Sequence, residues 1–255
     1  MRVIAVTGSA SGIGAALRAR LETAGERVIG VDRRDAEVIA ELGCGDGRAA
    51  AVARVEAACD GRLDGLVACA GVGPQVAPAS AIVSIDYFGA QALLAGLRSR
   101  LAAAGGAAAV AVCSNFSTLP GADGPVAAAC LAEDEEDARR LALARGGHPA
   151  YAGAKLALGR WVRRSAPGAE WAGAGVRLNA VAPGAVLTPL IQDGLEHPVF
   201  GPAIRSFPIP TGAFGAPEQI AGAIAFLLDP DAAFCCGSVL FVDGGTDALL
   251  RPDRY

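Results

Sequence analysis

The stretch TGSASGIG, from Thr7 to Gly14, follows the short β-branched run RVIAV and precedes AALRARLETAG, which has helical spacing. Its three glycines, Gly8, Gly12 and Gly14, therefore fall in the turn between a first strand and a first helix. A turn this tight needs residues without a Cβ atom. The helix that follows directs free N–H groups and a partial positive charge towards the turn, and this arrangement binds a pyrophosphate.

The second predicted strand, RVIGVD, ends in an acid, Asp32. An acid at this place binds both hydroxyls of an adenosine ribose and repels a 2′-phosphate. The neighbouring Arg33 offers the opposite interaction, because a guanidinium binds a phosphate. The glycine turn and the acid together predict a site for NAD rather than NADP.

Short apolar runs alternate along the chain with longer segments rich in alanine and leucine. The runs are almost continuously apolar, which is typical of strands that helices cover on both faces. The predicted strands are Arg2–Thr7, Arg27–Asp32, Gly65–Ala70, Ala107–Ser114, Val176–Val181 and Ser238–Asp243. The predicted helices are Ile13–Ala24, Gly47–Ala58, Tyr87–Ala104, Ala150–Ser165 and Pro217–Leu228. The alternation predicts one α/β domain over residues 1–255, with a doubly wound parallel sheet of the Rossmann type.

Two segments interrupt this alternation. Residues 121–149 contain the charged helical stretch AEDEEDARRLALAR, so we expect an insertion with a helix of its own. Residues 187–216 are rich in Pro, Gly and Phe and are too long for an ordinary connection, which is typical of a lid or binding loop. Its large apolar side chains either line a site for a flat apolar substrate or only pack the lid onto the domain; they are Leu190, Ile191, Leu195, Phe200, Phe207 and Phe214.

Composition argues against several classes of function. The chain carries a net charge of -4, whereas a nucleic-acid surface needs clustered basic residues. No apolar run reaches the roughly 18–20 residues of a membrane span, and no signal peptide is recognisable. The seven cysteines form no CxxC pair and no cluster with histidine at zinc spacing, so we predict no metal. We expect a cytoplasmic location.

The sequence YAGAK places Tyr151 four residues before Lys155 on a predicted helix, so both side chains share one face. An ammonium beside a phenol stabilises the phenolate and lowers its pKa, which suits a tyrosine that exchanges protons with an alcohol or carbonyl oxygen. Ser114 ends the fourth predicted strand, at the sheet edge where ligands bind, and its hydroxyl is placed to hold the substrate oxygen. His148 is interpreted as a loop histidine.

These motifs, in this order, resemble the short-chain dehydrogenase/reductase family over nearly the whole chain. They are TGSASGIG, Asp32, CAG at Cys69–Gly71, Ser114, YAGAK and NAVAPGAVLTP at Asn179–Pro189. The resemblance implies hydride transfer between nicotinamide C4 and an alcohol or carbonyl carbon. It implies that Tyr151 is the acid/base, that Lys155 binds the nicotinamide ribose and lowers the tyrosine pKa, and that Ser114 orients the substrate.

The resemblance also assigns the cofactor contacts, with Thr188 bound to the nicotinamide carboxamide and Val186 beside it. The expected cofactor-binding residues are Gly8, Ser11, Gly12, Ile13, Gly14, Asp32, Arg33, Cys69, Ala70, Gly71, Tyr151, Lys155, Pro183, Gly184, Val186 and Thr188. In most members of the family, the helices that follow the third and fourth strands pair across a two-fold axis. We therefore expect a homodimer or homotetramer, and the insertion is placed to cover that surface.

One position departs from the family pattern. The family usually has asparagine in the fourth helix, where it holds a water that links the lysine to solvent, and the matching residue in SIDYFGA is Asp86. Asp86 either caps a helix that begins at Tyr87, since aspartate is a good N-cap, or replaces the asparagine. In the second case its carboxylate favours the charged form of Lys155 but partly cancels the lysine's field at Tyr151. This predicts an alkaline-shifted pH profile.

A narrower resemblance is to the bacterial 3α-hydroxysteroid dehydrogenase/carbonyl reductase group. It is carried by CAGVGPQ, SIDYFGA, the acidic helical insertion and the tail VDGGTDALLRP, and it implies oxidoreduction at the 3-position of a steroid. Two other interpretations stay open: a family member with another substrate, such as a sugar alcohol or a 3-oxoacyl thioester, and a non-catalytic NAD-binding regulator. The apolar lid speaks against the first, and the complete set of Ser114, Tyr151 and Lys155 speaks against the second.

Overall fold

A central parallel β-sheet organises the protein, and the computed structural model describes residues 1–254. Its seven strands lie in the order β3-β2-β1-β4-β5-β6-β7. They are β1 (Val3–Thr7), β2 (Arg27–Asp32), β3 (Val38–Ile39), β4 (Gly65–Ala68), β5 (Ala108–Val112), β6 (Arg177–Pro183) and β7 (Val239–Val242). The predicted doubly wound fold is confirmed. All six predicted strands are present, and β3 is an additional edge strand that the sequence did not indicate.

Two apolar cores lie on opposite faces of the sheet, because side chains alternate between the faces along each strand. On β1, Val3 and Ala5 belong to one core, while Ile4 and Val6 belong to the other. Every residue of β1 and β5 is buried. This burial on both faces explains why the strands are almost continuously apolar in sequence.

The helices agree with the prediction except between residues 79 and 104, where the predicted helix Tyr87–Ala104 is part of a longer run. This run contains α3 (Ala79–Val83), a π-helix (Ser84–Gly89), α4 (Ala90–Gly96) and α5 (Arg98–Ala104). Asp86 lies inside the π-helix, so its interpretation as an N-cap is wrong. The other helices are α1 (Gly12–Thr23), α2 (Gly45–Ala58), α6 (Pro125–Leu131), α7 (Glu135–Arg145), α8 (Gly147–Ser165), α9 (Pro189–Glu196), α10 (Phe200–Arg205), α11 (Pro217–Leu228) and α12 (Thr246–Leu250), with 3-10 turns at Asn115–Thr118, Ala172–Ala174 and Pro230–Ala232.

The insertion at residues 121–149 contains two helices, α6 and α7, rather than one. The Asp134 side chain caps α7 by accepting a hydrogen bond of 3.0 Å from the backbone N–H of Asp137. The acidic first turn of α7 suits the positive end of the helix dipole. The helix α6 packs against α8, and α7 packs against α3, so the insertion covers the outer surface of both α3 and α8.

The lid at residues 187–216 also contains two helices, α9 and α10, where the sequence predicted a loop. Thr188 begins α9, because its Oγ1 accepts a hydrogen bond of 3.4 Å from the backbone N–H of Ile191. Pro189 occupies the first helical position, where its missing N–H costs no hydrogen bond. Gly194 lies inside α9, and Gly201 and Pro202 lie inside α10, so the prolines and glycines of this segment do not prevent short helices.

The helical run Ala79–Gly96 meets the length and composition expected of a membrane span, with a mean hydropathy of 1.2 over 18 residues. Within the protein, however, 61% of this segment is buried, and it packs against α7 and α8. Its apolar composition is therefore that of a core helix.

The close packing of the glycine turn can be tested by substitution of one of its glycines. A Cβ atom on Gly14 would overlap the carbonyl oxygen of Gly8, whereas a Cβ on Gly159 of α8 would meet its nearest neighbour, Cys113 Sγ, at an ordinary 3.7 Å. We expect Gly14→Ala to lower the free energy of unfolding by about 1–3 kcal/mol through overpacking. The matched control Gly159→Ala should raise it by about 0.5–1 kcal/mol through helix propensity. Urea unfolding measures both, and equal stability of the two variants would contradict this description of the turn.

Candidate active site

The glycine turn and the CAG motif meet at the carboxyl edge of the sheet, between β1 and β4, where the strand order reverses. Thr7 Oγ1 accepts hydrogen bonds from the backbone N–H groups of Cys69 (3.0 Å) and Ala70 (2.9 Å). Gly8 has a φ of +70°, and a Cβ atom on it would lie 2.9 Å from Ala70 Cα. Only glycine fits this position, so the two loops form one close-packed floor for a ligand.

A cavity of about 200 Å³ lies over this floor and reaches the end of β2. The Asp32 carboxylate is held there by the backbone N–H groups of Ala10 (3.0 Å) and Arg33 (2.7 Å). The N-terminus of α1 opens onto the same cavity. A helix N-terminus suits a pyrophosphate and a fixed acid suits a ribose diol, so the residues present fit an adenine dinucleotide. The predicted cofactor residues that line this cavity are Gly8, Ser11, Gly12, Ile13, Gly14, Asp32, Arg33, Cys69, Ala70, Gly71 and Thr188.

A second cavity, of about 350 Å³, continues from the first. The residues that line both cavities are Ile13, Cys69, Gly71, Val72, Thr188 and Leu190. The other predicted site residues that line it are Ser114, Tyr151, Lys155, Pro183, Gly184 and Val186. The two cavities together therefore collect every predicted site residue except Asp86, which is fully buried behind Lys155.

The Lys155 ammonium is buried between the end of β5 and the Tyr151 ring. Its Nζ donates a hydrogen bond of 3.1 Å to the carbonyl oxygen of Val112 and lies 5.8 Å from the centroid of the Tyr151 ring. Ser114, which follows β5, accepts a hydrogen bond of 3.2 Å from the backbone N–H of Phe116. The Ser114 hydroxyl also lowers the pKa of Tyr151, because it favours the tyrosine's ionised form.

Asp86 is the charged neighbour of this lysine. One oxygen, Oδ1, accepts a hydrogen bond of 2.8 Å from the backbone N–H of Val72. The other, Oδ2, lies 3.6 Å from Lys155 Nζ and has no hydrogen-bond partner among the described residues. The π-helix produces this placement, because its wider turn directs Asp86 inwards, and such turns are frequent at functional sites.

The charges of this group oppose one another. Burial raises the pKa of Tyr151, Lys155 lowers it, and Asp86 raises it again, so the pKa lies above its usual value of 10.0. Lys155 therefore lowers the pKa of Tyr151 as the sequence predicts, but burial and Asp86 outweigh this effect in the chain alone. Burial alone would lower the pKa of Lys155, but Asp86 and then Tyr151 raise it overall. Burial likewise raises the pKa of Asp86 against the opposing effect of Lys155.

The outer part of the larger cavity is apolar and is roofed by the lid. The Phe116 ring lies 5.8 Å from His148, 5.7 Å from Phe207 and, edge-on, 5.6 Å from Tyr151, measured between ring centroids. His148 in turn lies 4.9 Å from Phe200 of α10. These aromatic contacts join the lid to the catalytic helix α8.

Some of these lining residues were not predicted. His148 lies in the first turn of α8 and lines the cavity, so its interpretation as a loop residue is wrong, and burial lowers its pKa. Gln75 Nε2 donates a hydrogen bond of 3.1 Å to the carbonyl oxygen of Leu190 and so ties the lid to the CAG loop. Of the apolar lid residues, Leu190, Ile191, Phe200 and Phe207 line the cavity, and Leu195 and Phe214 do not.

The parallel sheet, the dinucleotide turn and the Ser–Tyr–Lys group at the carboxyl edge define an oxidoreductase of the Rossmann type. The chain belongs to the short-chain dehydrogenase/reductase family. It is 44% identical to the 3-alpha-hydroxysteroid dehydrogenase/carbonyl reductase of Comamonas testosteroni, with 100% of both chains covered. The predicted family and the narrower resemblance are both confirmed.

Other comparisons agree with this membership. The family model described as Enoyl-(Acyl carrier protein) reductase matches residues 139–247. The D-threitol dehydrogenase of Mycolicibacterium smegmatis is 34% identical, over 96% of this chain and 92% of the relative. The crystal structure of the 3-alpha-hydroxysteroid dehydrogenase from Pseudomonas sp. B-0831 complexed with NADH superposes with a TM-score of 0.97 at 50% identity, covering 99% of this chain and 100% of that chain.

The position of Asp86 predicts a shift in the pH dependence of alcohol oxidation. Asp86→Asn removes a negative charge that raises the pKa of Tyr151, so the phenolate forms at lower pH. We expect the kinetic pKa of kcat/KM to fall by about one unit, the shift that one nearby charge commonly produces. Asp32→Asn is a suitable charge control, because it removes an acid at the other end of the dinucleotide site. An unmoved profile in Asp86→Asn would show that Asp86 is electrically remote from Tyr151.

Proposed function

We propose that the protein is an NAD(H)-dependent dehydrogenase that interconverts a 3α-hydroxyl and a 3-oxo group on a steroid. The observation that carries this proposal is the placement of Ser114, Tyr151 and Lys155 at the inner end of an apolar cavity that continues into the dinucleotide site. The identity with two 3α-hydroxysteroid dehydrogenases over the full chain supports the same substrate class.

The residues of the chain divide the reaction between them. NAD, when bound, accepts a hydride at nicotinamide C4. Tyr151 removes the proton from the alcohol oxygen during oxidation and returns it during reduction. Ser114 holds the same oxygen by a hydrogen bond, which orients the reacting carbon. Lys155 keeps its positive charge beside the phenol and stabilises the phenolate that forms when Tyr151 gives up its proton.

The cofactor is held by the residues already collected at the sheet edge. Asp32 binds the adenosine ribose, and the N-terminus of α1 faces the pyrophosphate. Thr188 and Val186 lie at the inner cavity, where the family places the nicotinamide carboxamide. The acid at position 32 repels a 2′-phosphate, which favours NAD over NADP.

The lining of the outer cavity favours a fused-ring hydrocarbon over a polyol. Phe116, Phe200 and Phe207 present aromatic surface there, and burial of flat apolar area against it supplies binding free energy. A sugar alcohol carries hydroxyls along its whole length and would leave most of them unpaired against such a wall. A 3-oxoacyl thioester remains the second candidate, because its acyl chain is also apolar.

The first experiment is oxidation of androsterone with NAD at alkaline pH, measured by NADH absorbance. NADP, the 3β epimer and the variant Tyr151→Phe are parallel controls. We expect turnover with NAD and the 3α epimer, and a loss of at least about 100-fold in Tyr151→Phe, because the proton acceptor is removed. Binding of NADH without turnover of any steroid would reject the substrate. Equal rates in wild type and Tyr151→Phe would instead favour a non-catalytic NAD-binding protein.

We further propose a homodimer or homotetramer in the cytoplasm, as is usual in the family. The insertion lies over α3 and α8, so contacts between subunits there would involve α6 and α7. Light scattering at micromolar concentration should give at least twice the monomer mass of 25.4 kDa. A monomer mass would contradict the proposal.

A further inference from the structure

Within the insertion, only His148, near its end, lines one of the two cavities. The helix α7 nevertheless reaches the side of the molecule where the cofactor is expected to bind. Glu135, the first residue of α7, forms a two-pronged ion pair with Arg48 of α2. The Arg48 Nη1 and Nη2 atoms lie 2.7 and 2.6 Å from Glu135 Oε2 and Oε1. The side chain of Arg48 is 9% exposed and that of Glu135 is 30% exposed. The pair therefore lies mostly within the protein.

The remaining donors of Arg48 are used on two backbone carbonyls. Its Nε donates a hydrogen bond of 2.8 Å to the carbonyl oxygen of Leu42, and its Nη2 donates one of 3.2 Å to that of Ser84. Each acceptor belongs to a part of the site. Leu42 lines the 200 Å³ cavity, on the side away from the catalytic group. Ser84 is the first residue of the π-helix that carries Asp86.

A second contact of the insertion reaches the same π-helix. Arg139, one turn further along α7, donates a hydrogen bond of 3.1 Å to Ser84 Oγ. The Arg48 guanidinium also lies 5.9 Å from the centroid of the Phe88 ring, inside the π-helix. The first residue of the π-helix and one of its aromatic rings are thus both held by arginines that the insertion supplies or orients. A π-helix is rare and is mostly a single turn, so contacts from outside help to hold its geometry.

We propose that the insertion uses the Arg48–Glu135 pair to position two parts of the site. These are Leu42, in the wall of the 200 Å³ cavity, and Ser84, at the start of the π-helix. A buried guanidinium without a counter-charge is strongly disfavoured. Glu135 therefore keeps Arg48 in its place, and Arg48 in turn holds both carbonyls. Neither residue is among those that line the two cavities. The effect of this pair on cofactor binding does not depend on the proposed function. Its effect on the pH profile rests on the proposed role of Asp86.

The test uses Arg48→Met together with Glu135→Met, which removes both charges and keeps apolar volume. Replacement of a buried ion pair by apolar residues is often neutral for stability, so this variant separates positioning from folding. The matched control is Arg160→Met with Asp123→Asn. In this second pair, Arg160 Nη1 and Nη2 lie 2.6 and 2.7 Å from Asp123 Oδ1 and Oδ2. The pair also joins the insertion to the body of the protein, but it does so on α8 and at the surface. NADH affinity is measured by fluorescence titration, which requires no substrate.

We expect the Arg48→Met/Glu135→Met variant to melt near the wild-type temperature while its Kd for NADH rises about tenfold, within the range of such indirect couplings. Its kinetic pKa for alcohol oxidation should shift in the same direction as that of Asp86→Asn. In an Asp86→Asn background the two methionine substitutions should no longer shift the kinetic pKa, because the Asp86 carboxylate through which they act has been removed. The control pair should change neither Kd nor pH profile.

Two results would overturn the proposal. A wild-type Kd for NADH in a folded Arg48→Met/Glu135→Met variant would show that the pair only holds the fold together. A tenfold higher Kd for NADH in the Arg160→Met/Asp123→Asn control as well would show that any contact that anchors the insertion has the same effect. If the double variant does not fold, Arg48→Met alone gives the same readouts, because the partly exposed Glu135 can turn towards solvent. Failure of androsterone turnover would leave the NADH titration valid.

Discussion

A buried ammonium, that of Lys155, is the charge around which the site is arranged. It is 4% exposed, and a cation in such a place must find acceptors close by. The carbonyl oxygen of Val112 and the carboxylate of Asp86 provide them. Because these acceptors come from β5 and from the π-helix, the buried ammonium is stabilised where both the sheet edge and the π-helix pack against it.

The same arrangement limits how strongly the lysine can activate Tyr151. An ammonium paired with a carboxylate is close to a neutral pair, and its field at the phenol is weaker than that of an isolated cation. Burial and, after it, the opposing charge of Asp86 hold the pKa of Tyr151 above its usual value. A raised pKa favours a tyrosine that donates its proton, as in carbonyl reduction, and makes alcohol oxidation depend on alkaline conditions. An asparagine at position 86 would reduce this bias, since burial would still raise the pKa of Tyr151.

The parts of the site that were predictable from sequence are those set by local spacing. Each of these features depends only on one secondary-structure element and the element next to it in sequence. They are the glycine turn, the acid at the end of β2 and the four-residue spacing of Tyr151 and Lys155. The sequence offered two placements of Asp86, and the choice of the one beside Lys155 depends on a π-helix that has no sequence signal of its own. Phe116 and His148 reach the cavity from separate elements that only the packing of the lid brings together. The strand β3 has two residues, too few for a periodic pattern.

The division between a rigid floor and a separate lid explains how one chemistry accepts many substrates in this family. The groups that we propose handle the proton lie just after β5 and on α8, and both elements belong to the core of the domain. The substrate wall stands largely on α9 and α10, which are short and contact the body through aromatic rings and the Gln75 hydrogen bond. Exchange of lid side chains therefore alters the wall without moving a buried charge. The insertion belongs with the floor, because its charged contacts end at the π-helix, at α2 and at α8, not at the lid.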